Sequence, residues 1–151
     1  GDWSSDVCSS DLINPKQRED IIMLSDEKIA AVMQAYVDAI SGDDVEAVIA
    51  LYTEDAFVED PIGTDPHRGH TALREFYQMA VDSVEKMVLE GNPRTRDNYG
   101  ACAMRAYPKG MNMSFCMETL DVMEFNDEGK ITSMTAYWGD SNAREVTSAE
   151  S

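Results

Sequence analysis

Met117-Glu118-Thr119-Leu120-Asp121-Val122-Met123-Glu124-Phe125 decides the reading of this chain, because side-chain character alternates along it. A period of two is the mark of a β-strand with one face on a core. Met117, Thr119, Asp121, Met123 and Phe125 share one face, and Glu118, Leu120, Val122 and Glu124 share the other. Asp121 is then the only ionisable group on an apolar face. Ionising an acid there costs roughly several kcal/mol, and no Lys or Arg in the same segment offsets it. Burial favours the neutral acid, which keeps an O–H able to donate a hydrogen bond near neutral pH. A structural aspartate bonded to a backbone amide or a hidden Arg fits the residues equally well.

Around this strand lie three more. Lys86 to Glu90, Tyr99 to Ala106, Met111 to Phe125 and Ile131 to Trp138 read as strands, separated by Gly91-Asn92-Pro93, Pro108-Lys109-Gly110 and Asn126-Asp127-Glu128-Gly129. The first half of the chain has helical spacing instead. Ser25 is an N-cap with Asp26 and Glu27 in the first turn, and Ile29, Val32, Met33, Tyr36, Val37 and Ile40 recur at helical intervals until Ser41-Gly42. Asp43 or Asp44 starts a second helix with Val45, Val48, Ile49 and Tyr52 on its buried stripe. A short strand, Ala56 to Asp60, follows, with Ala56, Val58 and Asp60 on one face. After a turn-rich stretch, a third helix begins near Thr71 and carries Leu73, Phe76, Tyr77, Ala80, Val81 and Val84. Helices followed by a meander predict an α+β domain in which a curved sheet wraps three helices as a cone with an apolar pocket inside.

The domain is expected over residues 23–140. Residues 1–22 resemble a translated adapter and upstream read-through and are set aside, Met23 is the expected start, and residues 141–151 read as a polar, frayed tail. Leaving out the five acids and two bases of residues 1–22 takes the net charge from −17 to −14. Nucleic acid and anionic membrane surfaces are poor partners for so acidic a chain. No apolar run reaches the ~20 residues needed to cross a bilayer, and no signal peptide is present, so a soluble, cytoplasmic protein is expected. Cys102 and Cys116 are expected as free thiols, facing each other if the hairpin turns at Pro108-Lys109-Gly110. His67 and His70 lie in a turn without further ligands and read as surface histidines, and the sequence offers neither a strong metal cluster nor a phosphate loop, so no metal or other cofactor is expected.

Asp60 closes its strand before Pro61, at the rim of the sheet, where a mobile general base would sit and where an Asp-Pro turn is the plainer explanation. Tyr36 points inward, either as a hydrogen-bond donor or as a core tyrosine with its hydroxyl satisfied. Met117, Met123, Phe125, Met134 and Trp138 are candidates for the pocket wall, or for ordinary sheet core.

The order and context of these residues resemble the Δ5-3-ketosteroid isomerases, within the nuclear-transport-factor-2-like, or SnoaL-like, group. The resemblance runs from about Glu27 to Gly139. It is carried by Met33-Gln34-Ala35-Tyr36-Val37 with Gly42-Asp43, Ala50-Leu51-Tyr52, Asp55-Ala56-Phe57-Val58-Glu59-Asp60-Pro61-Ile62-Gly63, Leu73-Arg74-Glu75-Phe76-Tyr77, Asp121, and Gly129-Lys130-Ile131-Thr132-Ser133-Met134. It implies a cofactor-independent isomerase, with Asp60 as the base and Tyr36 with protonated Asp121 as the oxyanion hole. That family is the reference case of a carboxylic acid kept neutral by apolar surroundings. It further implies that Tyr77 bonds Tyr36, with Tyr52 extending the network, that the ligand is a 3-ketosteroid, and that two copies pair through the outer face of the sheet. A SnoaL-like enzyme of the polyketide cyclase type, acting on a non-steroid carbonyl, and a non-catalytic binding or dimerisation module are the alternatives.

Overall fold

The computed structural model describes residues 24–147. The leader expected over residues 1–22 and the end of the polar tail lie outside them. Helix α1 (Asp26–Ser41) starts where Ser25 accepts a hydrogen bond from the Lys28 amide at 3.1 Å, and Gly42 ends it. Helix α2 (Val45–Ile49) is capped in the same way, with the Asp44 carboxylate accepting from the Ala47 amide at 3.0 Å. These side chains satisfy amides that the first helical turn leaves without partners.

Strand β1 (Tyr52–Glu59) leads to the two-residue β2 (His67–Arg68), helix α3 (Gly69–Ser83), and then β3 (Val84–Arg96), β4 (Tyr99–Pro108), β5 (Phe115–Phe125) and β6 (Ile131–Tyr137). One sheet runs in the order β2-β1-β6-β5-β4-β3. Strands β1 and β6 pair in parallel and their neighbours antiparallel, so the sheet is mixed. It curves over the three helices without closing into a barrel, and α1 and α3 send Ile29, Met33, Tyr36, Ile40, Leu73 and Tyr77 into the core between. Each fully buried aliphatic side chain of this kind is worth roughly 1.5–3 kcal/mol.

Several local expectations change. Tyr52 opens β1 rather than closing the second helix, which stops after five residues. Gly91-Asn92-Pro93 is not a turn: β3 runs through it, with a register shift between Glu90 and Arg94. Pro93 is tolerated because β3 is the sheet's edge and a bulge there forgoes a ladder hydrogen bond at little cost. The true hairpin is Asp97-Asn98, with Asp97 at φ 51°. The tail does not fray directly after Gly139: a 3₁₀ turn (Asp140–Asn142) leads into β7 (Ala143–Glu145), which pairs with β5 at Phe115 to Met117. Backbone ladder bonds need no apolar pattern, and Arg144 adds an ion pair with Glu118 at 3.3 Å.

The cysteines do not face each other. Cys102 lies opposite Asp121, and Cys116 lies opposite Arg144 of β7; both are buried free thiols. The β4–β5 connection extends to Ser114, which sets the strands off from the register that the shorter turn implied. Among the described residues no helix is long and apolar enough to cross a membrane.

Candidate functional site

A cavity of about 440 Å³ lies between the concave sheet face, the end of α1 and the C-terminal half of α3. That volume is within the ~300–1,000 Å³ typical of small-molecule sites. Tyr36, Asp60 and Asp121 all line it, brought together from α1, the residue after β1, and β5. Its walls are otherwise mostly apolar, and Met79, 62% exposed, marks where it meets solvent at the C-terminal end of α3.

Asp121 is 1% exposed and is the only buried carboxylic acid or basic side chain among those described. Its strand neighbours in register are Cys102 on β4 and Ala136 on β6, neither of which neutralises it. Burial, and then the like charge of Asp60, push its carboxyl up to about 7. A single donor acts against that: the Thr119 hydroxyl gives a hydrogen bond to Oδ1 at 2.9 Å, which favours the ionised form.

Tyr36 is buried at the end of a hydroxyl chain. The Tyr77 hydroxyl donates to that of Tyr36 at 3.2 Å and is also hydrogen-bonded to the Tyr52 hydroxyl. A phenol has one proton to give, so Tyr52 must donate to Tyr77, Tyr77 to Tyr36, and Tyr36 keeps its own proton for the cavity. Burial, and secondarily the negative surroundings, raise all three phenols well above their usual range, so this proton stays in place at any ordinary pH. The Tyr36 and Tyr77 rings meet edge to face, 5.9 Å between centroids, which fixes the geometry of the relay.

Asp60 follows β1 directly, bonded to Pro61 by a cis peptide. It stands half-buried at the cavity rim, and the Trp138 indole N–H donates to its Oδ1 at 2.6 Å. Burial raises its carboxyl, while the Trp138 bond and nearby His67 oppose the rise. Its other oxygen is left without a hydrogen-bond donor among the described residues and is available to a ligand.

Of the five wall candidates, Met117 and Trp138 line the cavity and Met123, Phe125 and Met134 do not. Those three are buried in the core at the closed end of the cone, where α1 covers the sheet. Several lining residues escaped the sequence reading: Ile40 on α1, Met79, Ala80 and Ser83 on α3, Met87 on β3, and Ala106 and Pro108 on β4. The signal for those on α3 was available, since positions 76, 80 and 83 follow one helical stripe. His70 is not a free surface histidine, for its Nε2 lies 3.1 Å from the Tyr52 carbonyl oxygen; His67 packs on Phe76 with centroids 4.7 Å apart.

An apolar cavity inside a helix-lined cone, with two acids and a phenol turned into it, defines a class of small-molecule domain. The SnoaL-like domain matches residues 33–134, and the chain belongs to that family. A relative named Steroid Delta-isomerase, from Nocardioides simplex, is 36% identical over 112 residues, covering 74% of this chain and 89% of the relative. The fold is also similar to a solved structure of SalBIII, described as an epoxide hydrolase/cyclase-like enzyme in pyran ring formation in the polyether salinomycin. That match has a TM-score of 0.70 and 28% identity, over 80% of this chain and 97% of the other.

Proposed function

We propose that this protein is a cofactor-independent isomerase that moves a β,γ double bond into conjugation with a ketone, with Δ5-3-ketosteroids as the substrate class. The convergence of Tyr36, Asp60 and Asp121 on one apolar cavity carries this reading. The Asp60 carboxylate takes a proton from C4, between the ketone and the double bond. The electron pair moves to the 3-oxygen, giving a dienolate, and Tyr36 and neutral Asp121 donate hydrogen bonds to that oxygen as its charge grows. Asp60 then returns the proton at C6, and the double bond settles between C4 and C5. Both donors are fixed before the charge appears, which is what makes such stabilisation effective in a dry site. The relative named Steroid Delta-isomerase supports the same substrate class.

The similarity to SalBIII supports a second reading, acid/base chemistry of the cyclase kind on a non-steroid carbonyl compound. The absorbance rise of the conjugated enone, followed when the protein is mixed with 5-androstene-3,17-dione, separates the two. The isomerase reading expects a fast rise that Asp60→Asn slows by ~10²–10⁴-fold; a folded protein that leaves the rate at its uncatalysed value refutes it. Two copies are proposed to pair through the outer sheet face, where Leu120 and Tyr137 are 44% and 45% exposed and lie opposite each other in register.

A further inference from the structure

Thr119 precedes Asp121 by two residues on the same face of β5, so the two side chains stand side by side on the cavity wall. Its hydroxyl donates to Asp121 Oδ1 at 2.9 Å, and among the described residues it is the only side chain that does so. We propose that Thr119 is a positioning residue for Asp121, occupying Oδ1 as an acceptor so that the acid proton resides on Oδ2 and is directed at the ligand oxygen. The inference deepens the isomerase reading and rests on it.

A carboxylic acid has two equivalent places for its proton, and an oxyanion is served by one of them. A hydroxyl that donates to one oxygen makes that oxygen the carbonyl and leaves the other as the O–H. Threonine suits this task because branching at Cβ restricts χ1 and with it the direction of the hydroxyl. The strand neighbours of the pair, Met104 beside Thr119 and Cys102 with Ala136 beside Asp121, offer no competing strong acceptor side chain. The same division recurs at the other acid, where Trp138 holds Asp60 Oδ1 and leaves its second oxygen available.

The groups that can change charge and act on Asp121 are Asp60 after β1, Tyr36 on α1, Tyr52 on β1 and Cys102 on β4. Thr119 is uncharged at every pH, so replacing it by the near-isosteric valine removes one hydrogen bond and leaves the charge balance alone. Two opposite effects follow. The carboxylate loses a donor, so Asp121 stays neutral to higher pH. The neutral acid loses its orientation, so the donor serves the oxyanion less well.

The test measures both in Thr119→Val and Thr119→Ser. The titration midpoint of Asp121 is read without substrate, from the infrared carbonyl band of the protonated acid in difference spectra against Asp121→Asn. Enone formation is followed from pH 5 to 9. Thr119→Val is expected to move the midpoint to higher pH and to lower kcat ~5-fold on the acid side, where Asp121 is already neutral, the usual worth of one hydrogen bond. Its deficit should shrink as pH rises, and Thr119→Ser, which keeps the donor but not the branch that restricts χ1, should leave the midpoint in place and lose less rate than Thr119→Val. A loss of packing alone would lower the rate by one factor at all pH values and leave the midpoint unmoved, and that result overturns the proposal. A midpoint that moves while kcat and its pH profile stay unchanged also overturns it. An inactive wild type whose midpoint still moves refutes the isomerase reading, and with it any role of Thr119 in that reaction, while leaving the hydrogen bond established.

Discussion

Replacing Asp121 by asparagine should change how stability depends on pH, by an amount the structure allows to be worked out. The unfolded chain holds this carboxyl near 3.8, and the folded protein pushes it up to about 7, first through burial and then through Asp60. Below about pH 4 both states are protonated and the group costs nothing. Between about 4 and 7 the unfolded chain has released the proton and the folded one has not, so rising pH favours unfolding. Above 7 both are ionised and the full penalty stands. At ~1.36 kcal/mol per pH unit, the interval is worth ~4 kcal/mol against the folded state. This is a large share of the ~5–15 kcal/mol by which an ordinary domain is stable.

Asparagine has nearly the same shape and no proton to lose. Urea unfolding followed by circular dichroism, for both proteins from pH 4 to 8.5, isolates the effect. Repulsion among the many other acids of a chain with net charge −17 is common to both and cancels in the difference. Relative to Asp121→Asn, the wild type should lose ~1.4 kcal/mol per pH unit across this interval and then level off. A difference independent of pH would refute the reasoning, because Asp121 would then have the same proton affinity folded and unfolded. A difference of the opposite slope would mean a carboxylate stabilised by a cation, the structural role that the sequence alone left open.

Three further outcomes are expected. Trp138→Phe removes the donor at 2.6 Å from Asp60, so this carboxyl should rise further, and the acid limb of the kcat/KM profile should move to higher pH, with a loss that grows as pH falls; a limb that stays in place would show that Asp60 is not the base. Gly100→Ala would set a Cβ 2.7 Å from Ile29 Cγ2, and should lower stability by ~1–3 kcal/mol in the same urea assay; unchanged stability would mean that α1 can move off the sheet. Leu120→Glu should convert a dimeric wild type to a monomer in sedimentation velocity, and a monomeric wild type would remove the outer face as a pairing surface.

The elements were legible where a local rule held without competition. Ser25 announced α1, and alternation along 117–125 announced β5 together with the burial of Asp121. They were hidden where tertiary pairing decided. Tyr52 fits a helical stripe as well as it fits a strand, and it becomes a strand because β6 lies beside it, pairing Tyr52 with Ile131. Pro93 looks like a turn until β3 is known to be the edge. Strand β7 has no apolar pattern at all, since it needs only the ladder positions of β5 that β6 leaves open: β6 takes Leu120 to Phe125, and β7 takes Phe115 to Met117.

The misplaced wall residues follow from a distinction that periodicity cannot make. Alternation tells which side of a sheet a residue faces but not how far along the strand the covering helix begins. Met117, Thr119 and Asp121 face the cavity, whereas Met123 and Phe125, on the same face, run beneath α1. Gly100 locates that boundary, since a Cβ there would meet Ile29, Met33 and Phe125 together. Asp121 is therefore the last residue of the face that reaches the cavity, and helix and sheet close over the strand immediately beyond it. This explains how one carboxyl can be almost wholly buried and still line the site. It also separates two consequences of mutation. Substitutions on the open side, at Met117 or Thr119, should alter ligand binding and rate first, while substitutions on the closed side, at Met123 or Phe125, should alter stability first and reach the chemistry only by loosening the apolar packing that keeps Asp121 protonated.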